Sequence, residues 1–179
     1  MEKWKVLNTE KIIDNKWITV EKQKCYIGNG QTIDDYYIVK KRDYVVLVVE
    51  MNNKIFFVKQ YRHGVGEIVL NLPMGLIDEG ETAETAANRE LYEEIGLETN
   101  ELKYLGSFYK APSYISTKAH VFYTNNVKNK SIDKKDPNEE GLVTSISREE
   151  IKKLIEKNDI KDMSTIAALF LANKKLNLF

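Results

Sequence analysis

Residues 75–97 read GLIDEGETAETAANRELYEEIGL, and the spacing of their charges governs the reading of the rest of the chain. Ala83, Ala87, Leu91 and Ile95 recur every four residues, which puts one apolar stripe on a helix from Thr82 to Ile95. Thr82 stands at the N-cap position, and Gly96 stands where a C-cap glycine belongs. On that helix Glu90 and Glu94 are four apart and share a face, with Glu93 flanking it. Like charges at these spacings repel, so a cation is needed beside them. Arg89, four before Glu93, can pair with that one carboxylate and orient it. Glu90 and Glu94 are then left converging on something else, and clustered hard oxygen donors are what Mg²⁺ or Mn²⁺ takes. Gly75 and Gly80 permit tight or left-handed backbone in the preceding loop, and Glu81 adds an acid at the junction of loop and helix.

Outward from this helix, the chain toward the N-terminus reads as β. Trp17–Ile27 is strand-like and is followed by the turn Gly28-Asn29-Gly30. Asp35–Val39 and the apolar run Tyr44–Val49 follow. Asn52-Asn53 marks a hairpin turn, and Lys54–Gln60 is the returning strand. Residues 1–42 are expected to form a small antiparallel β-subdomain, with the main domain at 43–179. Beyond the helix, Tyr104–Tyr109 and Ala119–Tyr123 read as strands, and 125–141 is a polar, Lys-rich loop. Ser147-Arg148-Glu149-Glu150 is a capping box opening a helix with Ile151, Leu154 and Ile155 inward. A last helix covers Ser164–Lys175, with Ile166, Leu169 and Phe170 as its apolar residues. Mixed α and β content in this order places the chain in the α/β (α+β) class.

The composition narrows the function classes. The chain has 179 residues, 42% apolar and 30% charged, which suits one ordinary globular domain with a small appendage. Lys+Arg and Asp+Glu are 27 each, so the formal net charge is zero and a general attraction to nucleic acid or anionic membrane is not expected. The single cysteine, Cys25, rules out an internal disulfide framework or a cysteine-based zinc site. The N-terminal segment has no apolar core of signal-peptide length, and no run reaches the roughly 20 apolar residues of a membrane span. A soluble cytoplasmic protein is the expectation.

The full spacing of the acidic segment is G-x5-E-x7-R-E-U-x-E-E-x-G-U, where U is a bulky apolar residue. Gly75, Glu81, Arg89, Glu90, Leu91, Glu93, Glu94, Gly96 and Leu97 fill every defined position. At average usage of roughly 1 in 15, the seven fixed residues would coincide by chance about once in 10⁸ starting positions. A merely solvated acidic face does not explain that match. The segment resembles the signature of the Nudix hydrolase family. The resemblance implies an α/β/α sandwich with a mixed central sheet. It also implies metal-dependent hydrolysis of a nucleoside diphosphate linked to another group. Carried over by position, Glu90 and Glu94 are the principal metal ligands. Glu93 is a further ligand or the base, Arg89 positions it, and Glu81 assists. The main-chain carbonyl of Met74 is another ligand. The metal is Mg²⁺ or Mn²⁺, which would neutralise the pyrophosphate and activate water.

Other segments bear on the substrate. Gln60-Tyr61-Arg62 at a strand end is similar to an element of the ADP-ribose pyrophosphatase branch. So is Pro112, which lies 15 residues after Leu97. That likeness implies that Arg62 reaches a phosphate or the terminal sugar, with Gly75 and Pro112 also lining the substrate. It further implies a homodimer in which the N-terminal sheet takes part, with Trp17, Tyr36 and Tyr37 either packed in that sheet or stacking on a base. The chain also departs from the branch. Asn71 replaces a usual Glu, Ala111-Pro112-Ser113 replaces S-P-G, and an acidic residue is missing from Ser116-Thr117-Lys118. Pro137 occupies the place of a catalytic Glu, so Glu139 or Glu140 is the candidate base in that loop. ADP-ribose is the leading substrate. GDP-mannose, another nucleotide sugar or a dinucleotide is the alternative, and nucleoside triphosphate hydrolysis is a rival chemistry. A non-catalytic nucleotide sensor is disfavoured because every carboxylate of the signature is present. His120 is read as packed in its strand, and His63 as an ordinary loop residue.

Overall fold

The computed structural model of this chain describes residues 2–129 and 141–178. They form two compact units, one made of residues up to Asp43 with Tyr109–Lys118, the other of Tyr44–Phe108 with the residues from Ala119 onward.

The smaller unit is a three-stranded antiparallel sheet of β1 (Lys5–Asp14), β2 (Thr19–Gly28) and β3 (Gln31–Lys40), in that order. Gly28, Asn29 and Gly30 all have positive φ, the backbone that the β2–β3 turn requires. The segment 109–118 joins this unit through main-chain bonds, Val39 N–H to the Tyr114 carbonyl at 2.7 Å and Ser116 N–H to the Val39 carbonyl at 3.2 Å. Trp17 and Tyr37 are exposed, while Tyr36 is half-buried and meets Trp4 edge-on at 5.4 Å. Packing therefore does not account for Trp17 or Tyr37. β1 carries no alternating pattern that would have announced it, because all ten of its residues are exposed.

The larger unit is organised on β4 (Tyr44–Met51). Residues 44–50 are buried without alternation, as befits a strand covered on both faces. β5 (Lys54–Arg62) returns through Asn52-Asn53, both at positive φ, and pairs with β4 only at Glu50 and Met51. β6 (Glu67–Asn71) then pairs with β5, and β7 (Met74–Leu76) with the start of β4. After α1 (Ala83–Ile95) come the short β8 (Leu97–Glu98) and β9 (Lys103–Tyr109). β10 (Lys118–Thr124) lies parallel to β4, and β11 (Lys128–Asn129) pairs with β8. β12 (Gly141–Ser147) closes the order β12-β5-β4-β10-β9, giving a mixed sheet. α2 (Arg148–Glu156) and α3 (Met163–Leu176) end the chain.

The two faces of β4 define two cores. Val45, Leu47 and Val49 pack with Ala86, Ala87 and Leu91 of α1. Tyr44, Val46 and Val48 pack with Ile151 of α2 and Ala168, Leu169 and Ala172 of α3. The result is the helix–sheet–helix layering expected from the resemblance. Each fully buried Leu or Val contributes roughly 1.5–3 kcal/mol, so α1 is fastened mainly through Leu91 and its alanines. Two expectations need correction. Ile155 does not point inward: it is 37% exposed, and α2 buries only Ile151 fully. β6 lies in a stretch with no strand assigned from sequence, because its outer residues Glu67 and Ile68 are exposed and only Asn71 is buried.

Candidate functional site

The acidic helix forms as its caps predict. The Thr82 hydroxyl accepts the Thr85 N–H at 3.1 Å, and Gly96 takes the left-handed conformation, returning its N–H to the last turn. The loop ahead of it turns at Gly80 (φ 80°) and closes on itself: Asp78 N–H donates to the Glu81 carboxylate and Glu81 N–H to the Asp78 carbonyl, both at 3.0 Å. This brings Glu81, eight residues before Arg89, back onto that side chain.

Arg89 is the centre of the cluster. Nε and Nη2 grip both oxygens of Glu81 at 3.1 and 2.9 Å. Nη1 donates to Glu90 at 2.6 Å and to Glu93 at 2.9 Å, and Nη2 also reaches the Leu76 carbonyl at 2.8 Å. All five guanidinium hydrogens are thereby used. The expected Arg89–Glu93 pair is present, but the sequence reading missed the Glu81 and Glu90 contacts. Glu90 is not left without a cation, as was inferred: it is nearly buried and is held by Arg89. The Arg89 guanidinium holds the Glu81 carboxyl below the ordinary carboxylate range, against a smaller opposing effect of burial. The same carboxylates, led by Glu81, raise Arg89 well above its ordinary value.

The floor of the cluster is β7. Gly75 pairs with Val45, whose side chain faces α1, so residue 75 faces α1 as well. A β-carbon there would stand 1.9 Å from the Glu90 carboxylate carbon. Only glycine leaves this space for the carboxylate. One turn further along α1, Glu94 accepts the Met74 N–H at 2.9 Å. Met74 thus meets Glu94 through its N–H. Together Glu81, Glu90, Glu93, Glu94 and Arg89 carry an excess of three negative charges. All acceptors are hard oxygens. The group therefore fits a divalent cation, and the space at Gly75 is part of that fit. Among the described residues no three acidic, histidine or cysteine side chains stand ready around one point. Three of the four acids, Glu81, Glu90 and Glu93, are turned to Arg89.

The remaining candidates are more dispersed. Arg62 ends β5 and donates from Nε to Asn71 at 3.4 Å, while the Asn71 amide donates to the Leu72 carbonyl at 3.2 Å. Pro112 lies exposed in the smaller unit, between β9 and β10. Glu139 and Glu140 lie outside the described residues. His120 faces the Tyr104 hydroxyl, 3.3 Å from Nδ1, and His63 is exposed on the β5–β6 turn. Asn71, singled out from sequence as a departure, is buried here, as are Leu72 and Thr165, which were not singled out.

The NUDIX domain family matches residues 40–168, and the nucleoside diphosphate sugar hydrolase N-terminal domain matches residues 4–39. The chain is 28% identical to the ADP compounds hydrolase NudE of Escherichia coli (strain K12), over 98% of this chain and 95% of that one. It is 27% identical to the ADP-ribose pyrophosphatase of Bacillus subtilis (strain 168), over 92% and 90%. It is 26% identical to the methanol dehydrogenase activator of Bacillus methanolicus, also over 92% and 90%. The solved structure of an ADP compounds hydrolase superposes with a TM-score of 0.85 at 28% identity, covering 99% of this chain and 96% of that one.

Proposed function

Since the chain belongs to the Nudix hydrolase family, we propose that it cleaves the pyrophosphate of a nucleoside diphosphate linked to a sugar, with ADP-ribose yielding AMP and ribose 5-phosphate. The observation that carries this reading is the carboxylate cluster around Arg89, with Glu90 seated against Gly75. Full-length similarity to an ADP compounds hydrolase and to an ADP-ribose pyrophosphatase supports the adenosine substrate. GDP-mannose is the second reading, supported by the neutral Asn71 next to Arg62, where the ADP-ribose branch carries an acid.

Nudix hydrolases work with a divalent metal, and Mg²⁺ or Mn²⁺ is the ion we assign here. Glu90 and Glu94, with Glu81, Glu93 and the Met74 carbonyl, would hold it. There it supplies charge neutralisation at the pyrophosphate oxygens and makes water a stronger acid. The chain's own residues do the rest. Arg89 fixes the directions of Glu81, Glu90 and Glu93. A carboxylate among Glu93, Glu94, Glu139 and Glu140 takes the proton of the attacking water. The water oxygen bonds to one phosphorus as the bridging P–O bond breaks, and the departing phosphate keeps the electron pair. Arg62 binds the anionic or sugar portion, and Gly75 keeps the space beside Glu90 open.

The two-part organisation, with a β-subdomain at 1–42 and the hydrolase domain at 43–179, belongs to this proposal. So does a homodimer, supported by the exposed Trp4, Val6, Leu7, Ile12 and Ile13 on and beside β1. A cytoplasmic location and a small-molecule partner complete it. Among the described residues no helix is long and apolar enough to cross a membrane, and the formal charge of zero offers no general attraction for nucleic acid.

The test is a substrate panel of ADP-ribose, GDP-mannose, a dinucleoside polyphosphate and a nucleoside triphosphate, titrated with Mg²⁺ and followed by ³¹P NMR. Metal-dependent release of a nucleoside monophosphate and a sugar phosphate supports the reading. Turnover of the triphosphate alone would overturn it.

A further inference from the structure

We infer that Thr165, at the start of α3, is a positioning residue that sets the cation-binding geometry of α1 through the main chain of residues 72–74. The inference rests on the proposed reading of the α1 carboxylates as a divalent-cation site.

The observation is a chain of hydrogen bonds from one helix to another. Asp162 caps α3, and its Oδ2 accepts both the Thr165 N–H at 2.7 Å and the Thr165 hydroxyl hydrogen at 2.8 Å. A threonine hydroxyl has one hydrogen. With that hydrogen given to Asp162, the oxygen can only accept, and it accepts the Leu72 N–H at 3.0 Å. Both Thr165 and Leu72 are fully buried, so water does not replace either partner. β6 has ended at Asn71, and the sheet offers this N–H no carbonyl.

From Leu72 the constraint passes to the acidic cluster with little slack. The Leu72 carbonyl accepts the Asn71 amide, and the Pro73 carbonyl accepts the Leu47 N–H at 2.9 Å. Proline fixes its own φ and has no N–H to re-pair. The next N–H, that of Met74, is the one that Glu94 accepts at 2.9 Å, and the Leu76 carbonyl is held by Arg89. The segment is thus pinned by α3 at one end and by α1 at the other, with only Pro73 between the two pinned N–H groups. Beside it, the Ser164 hydroxyl lies 2.7 Å from the buried Tyr44 hydroxyl, which holds the same end of α3 to β4. The side chain of Thr165 bonds to Asp162 and to the Leu72 main chain. Its effect is on where Met74 presents itself and how Glu94 is oriented.

The experiment measures Mn²⁺ binding to the full chain without substrate, by EPR and calorimetry, alongside kcat and KM at saturating Mn²⁺. Thr165→Val keeps the shape and removes the acceptor. It is expected to weaken Mn²⁺ binding by about 10-fold or more, the size usual for groups that orient metal ligands. kcat should fall and KM should change little. Thr165→Ser restores the acceptor and is expected to bind within about twofold of wild type. Should Thr165→Val fail to fold, Thr165→Cys supplies a poor acceptor of similar bulk, and its affinity is expected to lie clearly below that of Thr165→Ser. Wild-type Mn²⁺ affinity in Thr165→Val or Thr165→Cys, or equal damage in Thr165→Ser and Thr165→Val, overturns the role of Thr165. A wild-type chain that binds no Mn²⁺ overturns instead the cation reading on which it rests.

Discussion

The carboxylate of Glu90 occupies the place a β-carbon of residue 75 would take, 1.9 Å from the Glu90 carboxyl carbon. Gly75→Ala is therefore expected to expel Glu90 from its seat. The clash is with the far end of a side chain, so the fold should survive at a cost of about 1–3 kcal/mol. Loss of a metal-holding carboxylate should lower kcat at least ~10²-fold. Urea unfolding and steady-state kinetics on the same preparation check this, and an active Gly75→Ala enzyme would contradict the assigned position of Glu90.

Glu94→Gln separates charge from shape. The amide oxygen can still accept the Met74 N–H, so the melting temperature should stay within about 2 °C of wild type. Loss of the anionic donor should cut kcat by ~10²-fold or more. Calorimetric melting and product release measure the two quantities. An unchanged kcat would remove Glu94 from the ligand set.

Arg89→Lys keeps a positive charge and loses the fork that holds three carboxylates and a carbonyl. Leaving nearly buried Glu90 poorly paired should destabilise the chain by about 2–4 kcal/mol, less than a fully buried pair because Arg89 retains some exposure. Denaturant midpoints at neutral pH report it.

The same cluster predicts an acid-sensitive contribution. The carboxyl of Glu81 is depressed in the folded chain below its ordinary 4.5. Its stabilisation is therefore complete above that value and is lost as pH falls through the lower, folded value. Glu81→Gln should lose stability relative to wild type at pH 7, and the gap should narrow once the pH is taken below 4.5. Parallel urea titrations at both pH values check the sign. A gap that widens in acid would show that Arg89 does not stabilise the Glu81 anion.

How far the molecule could be read in advance depended on whether the information was local. α1 was legible because its caps, its four-residue apolar repeat and the Arg89–Glu93 pair all lie within one helix. The Glu81 contact was not, because a turn at Gly80 carries that acid outside the helical period. The Leu76 carbonyl contact is invisible to side-chain patterns altogether. Thr165 and Leu72 are separated by 93 positions, so only the packing of α3 against β4 unites them. Ile155 follows Leu154 in a helix whose buried stripe is too narrow for both. β1 gave no strand signal because burial, the source of alternation, is missing along its length.

The saturated guanidinium of Arg89 also bears on inhibitor design. A phosphonate or carboxylate warhead aimed at this arginine would find no vacant hydrogen and would have to displace a resident acid first. Arg62 has only a long contact to a neutral amide among the described residues, and it is the cation on which an anionic scaffold should be anchored.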